Sequence, residues 1–383
     1  MSIKNTLMID SKYNLKGLIN DLNGKRKTAL FVGAGINMSK DVKITWNALM
    51  DFLFKNALNY LSIEKNIPAS VKAILHHAWD KPENINAEDF KYWYNTHSCA
   101  NDEFNHLIKA SIVKKVLGNG YISSIQSFLY SKCDKKKIES AFRKHYMKGQ
   151  KHDKNDAPFY TLYNVARMVM LLPNIEAVIS YNYDNFLTEA INILYENADS
   201  YFHGAELDMV KGNRRNIKDV AGDLYDEKMG INTTPIYHVH GFIPPPSMPL
   251  PEEESHIVLS MDEFYETSRN SYSWQTATLM HYLCNYTCIF SGLSFTDINL
   301  QRMVYYASKS GCRQNELYLL CASQKEDTDN DYAQAKQMLL GLKYSFLKDY
   351  GLTLIHDNDS YYDLYKTIGE IIDNLNIYSN GQK

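Results

Sequence analysis

Cysteine is scarce in this sequence, and the cysteines that do occur are far apart. The six lie at Cys99, Cys133, Cys284, Cys288, Cys312 and Cys321 of a 383-residue chain. Such spacing excludes a small disulfide framework, so we predict reduced and mostly buried thiols. Structural zinc modules often use two close cysteine pairs, whereas here Cys284 and Cys288 are four residues apart and no second close pair exists. The sequence therefore predicts no zinc module.

Long hydrophobic runs and a strong charge of one sign are also missing. No apolar run is long enough to cross a bilayer, and the segment from Lys4 to Lys16 is polar with scattered apolar residues, unlike a signal peptide. The formal net charge of −3 does not indicate a nucleic-acid or acidic-membrane partner. We therefore predict a cytoplasmic protein with no membrane partner, and expect any nucleic-acid contact to be indirect.

Seven short apolar runs are present, and most of them are followed by a helical pattern. They are Thr28 to Val32, Glu176 to Ser180, Ile236 to His240, Ile257 to Leu259, Tyr286 to Ser291, Leu317 to Cys321 and Leu352 to His356. Continuously apolar strands are typical of a parallel sheet covered by helices on both faces. The pattern predicts an α/β fold with a Rossmann-like parallel sheet, which ends with a helix from Tyr361 to Leu375.

Between the first two runs, residues 46–172 show helical periodicity and few strand signals. We predict a helical insertion at 46–172, packed on a nucleotide-binding core formed by residues 1–45 and 173–378, with a polar tail at 379–383. Within the insertion, Lys109 to Lys154 holds twelve Lys/Arg against three Asp/Glu. This stretch is either a solvated helical face or a docking surface for a partner. The loop from Pro244 to Glu254 is either a lid or an ordinary connection.

The first strand ends in a glycine-rich segment, Gly33-Ala34-Gly35-Ile36-Asn37. Bare glycine backbone after a strand lets a pyrophosphate approach, although a tight strand-to-helix turn requires the same residues. The segment is not the usual G-x-G-x-x-G fingerprint, because Met38 stands where the third glycine is expected. Trp46 follows shortly after, as a site residue or as part of the core.

Polar residues follow three further strands. Asn182 and Asp184 come just after the second strand, at the carboxyl end where open α/β sheets bind ligands, but an Asx turn with a helix cap suits them equally. His238 and His240 are two residues apart, so on one strand they would project from the same face. A metal pair there lacks further ligands of clear spacing.

The run from Tyr286 to Ser291 leads into the third polar segment. Gly292, Ser294 and Asp297 end this strand and precede a helix with an apolar stripe. A hydroxyl and backbone amides at a helix start can bind phosphate or ribose. For Asp297, helix capping is an equal alternative.

In their order, these segments resemble the motifs of the sirtuins. The sirtuin G-A-G-x-S is matched by Gly33-Ala34-Gly35 with Asn37 in place of serine, T-x-N-x-D by Ser180 to Asp184, and H-G by His240-Gly241. Gly292-Leu293-Ser294 resembles the G-x-S strand end, and Ile44-Thr45-Trp46 resembles the short P-x-W element. The resemblance implies catalytic roles for Asn182 and His240. It implies cofactor contacts for Gly33, Ala34, Gly35, Asn37, Trp46, Asp184, Gly292, Ser294 and Asp297.

The lack of zinc cysteines makes the chain similar to bacterial sirtuin-like NAD+ hydrolases of antiphage defence. This resemblance implies an NAD+ glycohydrolase that releases nicotinamide and ADP-ribose and acts as a homo-oligomer, with a separate ATPase or helicase-like activator as a further expectation. Asn182 would position the ribose or the attacking water, and His240 would serve as general base. The alternatives are an NAD-dependent protein deacylase, an ADP-ribosyltransferase, or a non-catalytic NAD-binding module of an oligomeric assembly.

Overall fold

The computed structural model describes residues 14–24, 26–39, 42–64, 106–147, 158–222, 232–249, 257–270, 273–309, 311, 315–322 and 331–357. Seven strands form one sheet in these residues. They are β1 (Thr28–Val32), β2 (Ile175–Ser180), β3 (Asn216–Val220), β4 (Thr233–His238), β5 (Thr287–Ser291), β6 (Leu317–Ala322) and β7 (Leu352–Asp357). Their spatial order is β3-β4-β2-β1-β5-β6-β7, and every neighbouring pair is parallel. The predicted α/β fold with a Rossmann-like sheet is thus confirmed.

Helices cover both faces of the sheet. In chain order they are α1 (14–23), α2 (Trp46–Glu64), α3 (His106–Leu117), α4 (Gly120–Lys132), α5 (Lys135–His145), α6 (Tyr160–Leu171), α7 (Phe186–Glu196), α8 (Ala198–Tyr201), α9 (Gly204–Gly212), α10 (Met261–Arg269), α11 (Trp274–Asn285), α12 (Ile298–Lys309) and α13 (Asp331–Asp349). None of these described helices is both long enough and apolar enough to cross a membrane.

The central strand β1 divides its side chains between two apolar cores. Leu30 and Val32 pack into the core beneath α1 to α7, whereas Ala29 and Phe31 pack into the core beneath α11 to α13. Alternate residues of a strand point to opposite faces, so a strand buried on both sides has no polar alternation. This explains why β1 is continuously apolar in the sequence.

Six of the seven predicted strand runs are strands, and one prediction is wrong. Residues 257–259 form no strand; instead Val258 N–H donates to the His240 carbonyl at 2.9 Å, and a capping box at Ser260 starts α10 directly afterwards. The sequence reading also missed β3. This edge strand is exposed or half-buried except at Val220, so it lacks the apolar run that identified the others.

The described parts of the predicted insertion are helical. Residues 42–64, 106–147 and 158–172 form helices α2 to α6 and no strand. The apolar side chains of these helices pack into the core beside β1 and β2. The domain boundaries remain a prediction, because residues 65–105 and 148–157 lie outside the described part. The predicted final helix from Tyr361 to Leu375 and the tail at 379–383 lie outside it as well.

Part of the basic stretch is neutralised within the chain. Lys114 contacts Asp262 at 3.1 Å and Glu263 at 2.9 Å, which joins α3 to α10. Lys135 on α5 lies within 3.5 Å of carboxylates on α7. These contacts occupy two of the lysines within the chain, and both interpretations of the basic stretch stay predictions.

The carboxyl ends of the four central strands are aligned. Val32 is paired with Ser180 of β2 and with Ser291 of β5, and Ser180 is paired with His238 of β4. The chain segments after these residues therefore meet along one edge of the sheet, where parallel α/β sheets bind their ligands.

Candidate functional site

Three glycines interlock at the centre of this edge. The Gly33 N–H donates to the Ser291 carbonyl at 3.1 Å, and the Gly35 N–H donates to the Gly292 carbonyl at 3.0 Å. A Cβ on Gly35 would lie 2.8 Å from the Gly292 Cα, and a Cβ on Gly292, where φ is +67°, would lie 2.6 Å from the Ile36 nitrogen. Only glycine fits such a backbone approach. Packing of β1 against β5 therefore explains these residues without a ligand.

A short 3-10 turn, Ala34–Asn37, follows the glycines. The next helix, α2, begins at Trp46. The Gly33 and Gly35 amides donate to the Ser291 and Gly292 carbonyls at the end of β5. Cofactor contact by Gly33, Ala34 and Gly35 remains a prediction.

Asn37 and Asp184 are brought together from segments 147 residues apart. The Asn37 Nδ2 donates to Asp184 Oδ2 at 3.0 Å and to Oδ1 at 3.2 Å. Both residues are at least 95% buried, and the Asn37 Oδ1 has no hydrogen-bond partner within the described residues. An unpaired buried acceptor costs free energy unless a ligand or water donates to it. This oxygen is therefore available to a hydroxyl or amide donor of a ligand.

Asp184 also accepts a hydrogen bond from the Phe186 N–H at 3.1 Å. The predicted Asx turn before α7 is thus present, together with the contact to Asn37. Burial raises the pKa of Asp184 to about 6, and hydrogen bonds from Phe186 and Asn37 oppose this rise only in part. The carboxylate holds the loop and orients Asn37.

Asn182 is fixed through its backbone. Its N–H donates to the Ser180 Oγ at 3.1 Å, and its carbonyl oxygen lies 2.8 Å from His238 Nδ1. The side-chain amide of Asn182 forms no hydrogen bond with the other described residues. The backbone is therefore held while the amide remains available.

His238 and His240 do not share a strand, so the prediction that both project from one strand face is wrong. Strand β4 ends at His238, and Val239 and His240 form a turn that Gly241 closes with φ +94°. The His238 ring is buried between the Asn182 carbonyl and Asp219 Oδ1, with its Nε2 2.8 Å from that oxygen.

His240 instead lies beside Asp297, at the start of α12. Its Nε2 is 3.4 Å from Asp297 Oδ2, and its ring meets the edge of Tyr181 with the centroids 4.8 Å apart. Asp297 Oδ1 accepts the Leu300 N–H at 2.6 Å, so the predicted helix cap is also present. Burial opposes ionisation of Asp297, but the contact with His240 and the backbone hydrogen bonds outweigh it and lower the pKa.

Two other predicted residues, Ser294 and Trp46, contact side chains other than His238 and His240. Ser294 is exposed and its Oγ lies 2.7 Å from Thr296 Oγ1, and Lys343 on α13 donates to the Ser294 carbonyl at 2.6 Å. Trp46 packs on the core, and its ring stacks against the Tyr183 ring with the centroids 6.4 Å apart. Its core interpretation is thereby favoured.

The loop after Gly241 is anchored to the helical segment. The single hydroxyl proton of Tyr130 on α4 is shared between two acceptors, the Ile243 carbonyl at 2.8 Å and Asn185 Oδ1 at 3.1 Å. Gln126 donates to the Pro244 carbonyl at 2.8 Å. Residues 241–244 are therefore held in place, and a lid stays a hypothesis for the Pro244 to Glu254 loop, of which residues 250–254 lie outside the described part.

Sequence reasoning missed two residues of this site. Asp219 lies on β3, the strand without an apolar run, so no local signal marked it. Tyr181 lies inside a quoted motif, and its buried hydroxyl has no hydrogen-bond partner within the described residues. A tyrosine directly between a buried strand and Asn182 was the available signal. In the described part of the chain, no group of three or more His, Cys, Asp or Glu side chains is arranged to hold a metal ion.

Comparison with known proteins gives one family match. Residues 176–355, from β2 to β7, match the model of the SIR2-like domain. The match includes Asn182, Asp184, His240 and Asp297, but it does not extend to the glycine segment after β1. No curated protein matches the chain. The match supports a sirtuin-like assignment and, with it, an NAD-related activity.

Proposed function

We propose that the chain binds NAD+ along the carboxyl edge of β1, β2, β4 and β5 and hydrolyses the bond between nicotinamide and ribose. The observation that carries this proposal is the convergence of His240, paired with Asp297, and of the unpartnered Asn182 amide at one sheet edge. The SIR2-like match over residues 176–355 supports NAD+ as the ligand. The unpaired Asn37 Oδ1 supports it further, because ribose hydroxyls and the nicotinamide amide are donors.

In the proposed reaction, the C–N bond breaks and its electron pair goes to the nicotinamide nitrogen. Positive charge then builds on the ribose carbon. The ionised carboxylate of Asp297 near His240 favours this charge electrostatically. Nicotinamide is already a cationic leaving group in NAD+, so its departure needs no proton.

Water attacks the same ribose carbon and loses a proton to His240. Because Nε2 faces the Asp297 carboxylate at 3.4 Å, we assign the base to Nδ1, the other ring nitrogen. Asn182 orients the ribose or the water with its side-chain amide. The products are nicotinamide, ADP-ribose and one proton.

The proposal includes a biological role and an assembly. Depletion of NAD+ during phage infection fits a zinc-free member of the sirtuin-like proteins, acting as a homo-oligomer with a separate ATPase or helicase-like activator. Expression of the wild type and of His240→Ala in a bacterial host, followed by phage challenge and NAD+ measurement, tests this role. We expect NAD+ loss and protection only with the wild type.

The experiment for the activity is incubation of the purified chain with NAD+ and separation of the products. We expect equal amounts of nicotinamide and ADP-ribose, unchanged by a chelator, and loss of both in His240→Ala and Asn182→Ala. Consumption of an acetyl-lysine peptide with formation of O-acetyl-ADP-ribose would instead identify a deacylase. ADP-ribose attached to protein would identify a transferase, and binding of NAD+ without turnover would identify a non-catalytic module.

A further inference from the structure

The His238 ring is buried between two hydrogen-bond acceptors. It is 1% exposed, with Nδ1 2.8 Å from the Asn182 carbonyl oxygen and Nε2 2.8 Å from Asp219 Oδ1. The carbonyl has no proton to give, and an ionised carboxylate only accepts. Both contacts are therefore satisfied only when both ring nitrogens carry protons.

The proton shared with Asp219 belongs to the imidazole, because a histidine is normally a far stronger base than an aspartate. Asp219 Oδ1 also accepts the Thr188 hydroxyl at 2.7 Å, which stabilises its ionised form. The geometry thus describes a buried imidazolium–carboxylate pair.

The charges around the ring agree with this state. Burial by itself lowers the pKa of His238, but the hydrogen bond and charge of Asp219, the Asn182 carbonyl and the charge of Asp184 outweigh it and raise the pKa. Asp219 comes from β3 and Asp184 from the loop after β2. The apolar ring of Phe242 packs against the His238 ring, with the centroids 4.8 Å apart.

We propose that His238, held as an imidazolium by Asp219, is a positioning residue that fixes the Asn182 carbonyl and so aims the Asn182 amide at the substrate. This inference rests on the proposed function. The Asn182 N–H donates to the Ser180 Oγ, which also lies 3.5 Å from the Asn182 carbonyl oxygen; His238 Nδ1, at 2.8 Å, is the closer of the two groups that hold this carbonyl. His238 is also the last residue of β4 and lies two residues before His240. Its contact with Asn182 therefore links the segment of Asn182 to the segment of His240.

The test compares steady-state NAD+ hydrolysis by Asp219→Asn and His238→Gln with the wild type. We expect kcat to fall by up to roughly 100-fold with a smaller change in KM, because a small misplacement of a catalytic group slows the chemical step. Asp199→Asn and His203→Gln are the matched controls: Asp199 pairs with Lys211 on the surface, and His203 is exposed. Both controls should retain wild-type kcat.

The pH profile separates positioning from a purely structural role. Wild-type kcat should fall on the alkaline side as His238 loses its second proton, and in Asp219→Asn this alkaline limb should move to lower pH, because the charge that favours the imidazolium is gone. An unchanged limb in a folded Asp219→Asn variant, or unchanged kcat in both variants, would overturn the proposal.

Nitrogen-15 NMR of histidine-labelled protein gives a readout without any variant that must fold. At neutral pH we expect protons on both nitrogens of His238, and the loss of one of them over the same pH range as the alkaline limb of the wild type. A neutral ring at neutral pH would overturn the proposal. A wild type that leaves NAD+ intact would overturn the proposed function itself, whereas an active wild type with unaffected variants would overturn only the positioning role.

Discussion

Replacement of Asp184 by asparagine is expected to stabilise the fold at neutral pH. Asp184 is 5% exposed, and burial raises its pKa from the ordinary 3.8 to about 6. Above pH 6 the folded chain therefore holds a carboxylate that burial disfavours. A pKa difference of about two units corresponds to about 3 kcal/mol, since one unit is about 1.4 kcal/mol.

The neighbours of Asp184 can accept an amide. The Asn37 Nδ2 now donates to both carboxylate oxygens, while its Oδ1 has no partner in the described residues. Rotation of the Asn37 amide by half a turn would let its Oδ1 accept from the new Nδ2. The Phe186 N–H would still donate to the Oδ1 at position 184. The variant thus keeps one hydrogen bond with Asn37 and the one from Phe186, and it removes the buried charge.

The sign of the pH dependence follows from the raised pKa. Between about pH 4 and pH 6 the folded state binds more protons at Asp184 than the unfolded state does, so this group lowers the free energy of unfolding as pH rises. The advantage of Asp184→Asn should therefore be near zero below pH 4 and grow to at most about 3 kcal/mol above pH 6. Loss of the favourable charge beside His238 reduces this gain.

Chemical denaturation of the wild type and Asp184→Asn at pH 4 and pH 7 measures the effect, with the exposed Asp208→Asn as control. We expect a pH-dependent gain for the first variant and none for the control. A variant that is less stable than the wild type at pH 7, or a difference independent of pH, would refute the reasoning. We also expect slower NAD+ hydrolysis in the stabilised variant, because Asp184 orients a site residue.

Three further outcomes are expected. Gly35→Ala should lower the free energy of unfolding by about 1–3 kcal/mol, because the new Cβ would lie 2.8 Å from the backbone of Gly292. The control Gly212→Ala, which has open space around the new Cβ, should show no such loss in a denaturant titration. Asp297→Asn should reduce kcat, but by less than His240→Ala, which removes a general base contributing roughly 10²–10⁴-fold; equal kcat in Asp297→Asn and the wild type would contradict the pair. Tyr130→Phe should cost about 1 kcal/mol, measured by thermal unfolding, since it removes the one hydroxyl proton that lies between the Ile243 carbonyl and Asn185 Oδ1.

The sheet was predictable because its buried strands are apolar on both faces. The short, continuously apolar runs at β1, β2 and β5 indicated buried strands, and the ends of these runs located the edge of the sheet that carries the site. Strand β3 escaped prediction because an edge strand with one buried residue has no apolar run. Conversely, residues 257–259 are buried and apolar but form no strand. Among them, the Val258 N–H donates one backbone hydrogen bond to the His240 carbonyl.

The contacts of the site were less predictable than its members. Sequence order indicated Asn37, Asp184, His240 and Asp297 as separate candidates, but the pairing of Asn37 with Asp184 depends on how two loops meet across the sheet edge. Local spacing also suggested one face for both histidines, because it could not show where β4 ends.

The central claim is that this chain uses water to cleave the bond between nicotinamide and ribose. Incubation of the wild type with NAD+ in water enriched in oxygen-18, followed by mass spectrometry, tests it most directly. We predict ADP-ribose that carries one heavy oxygen, in an amount equal to the free nicotinamide, and none from His240→Ala. Intact NAD+, or ADP-ribose without the heavy oxygen at the ribose carbon, would contradict the claim.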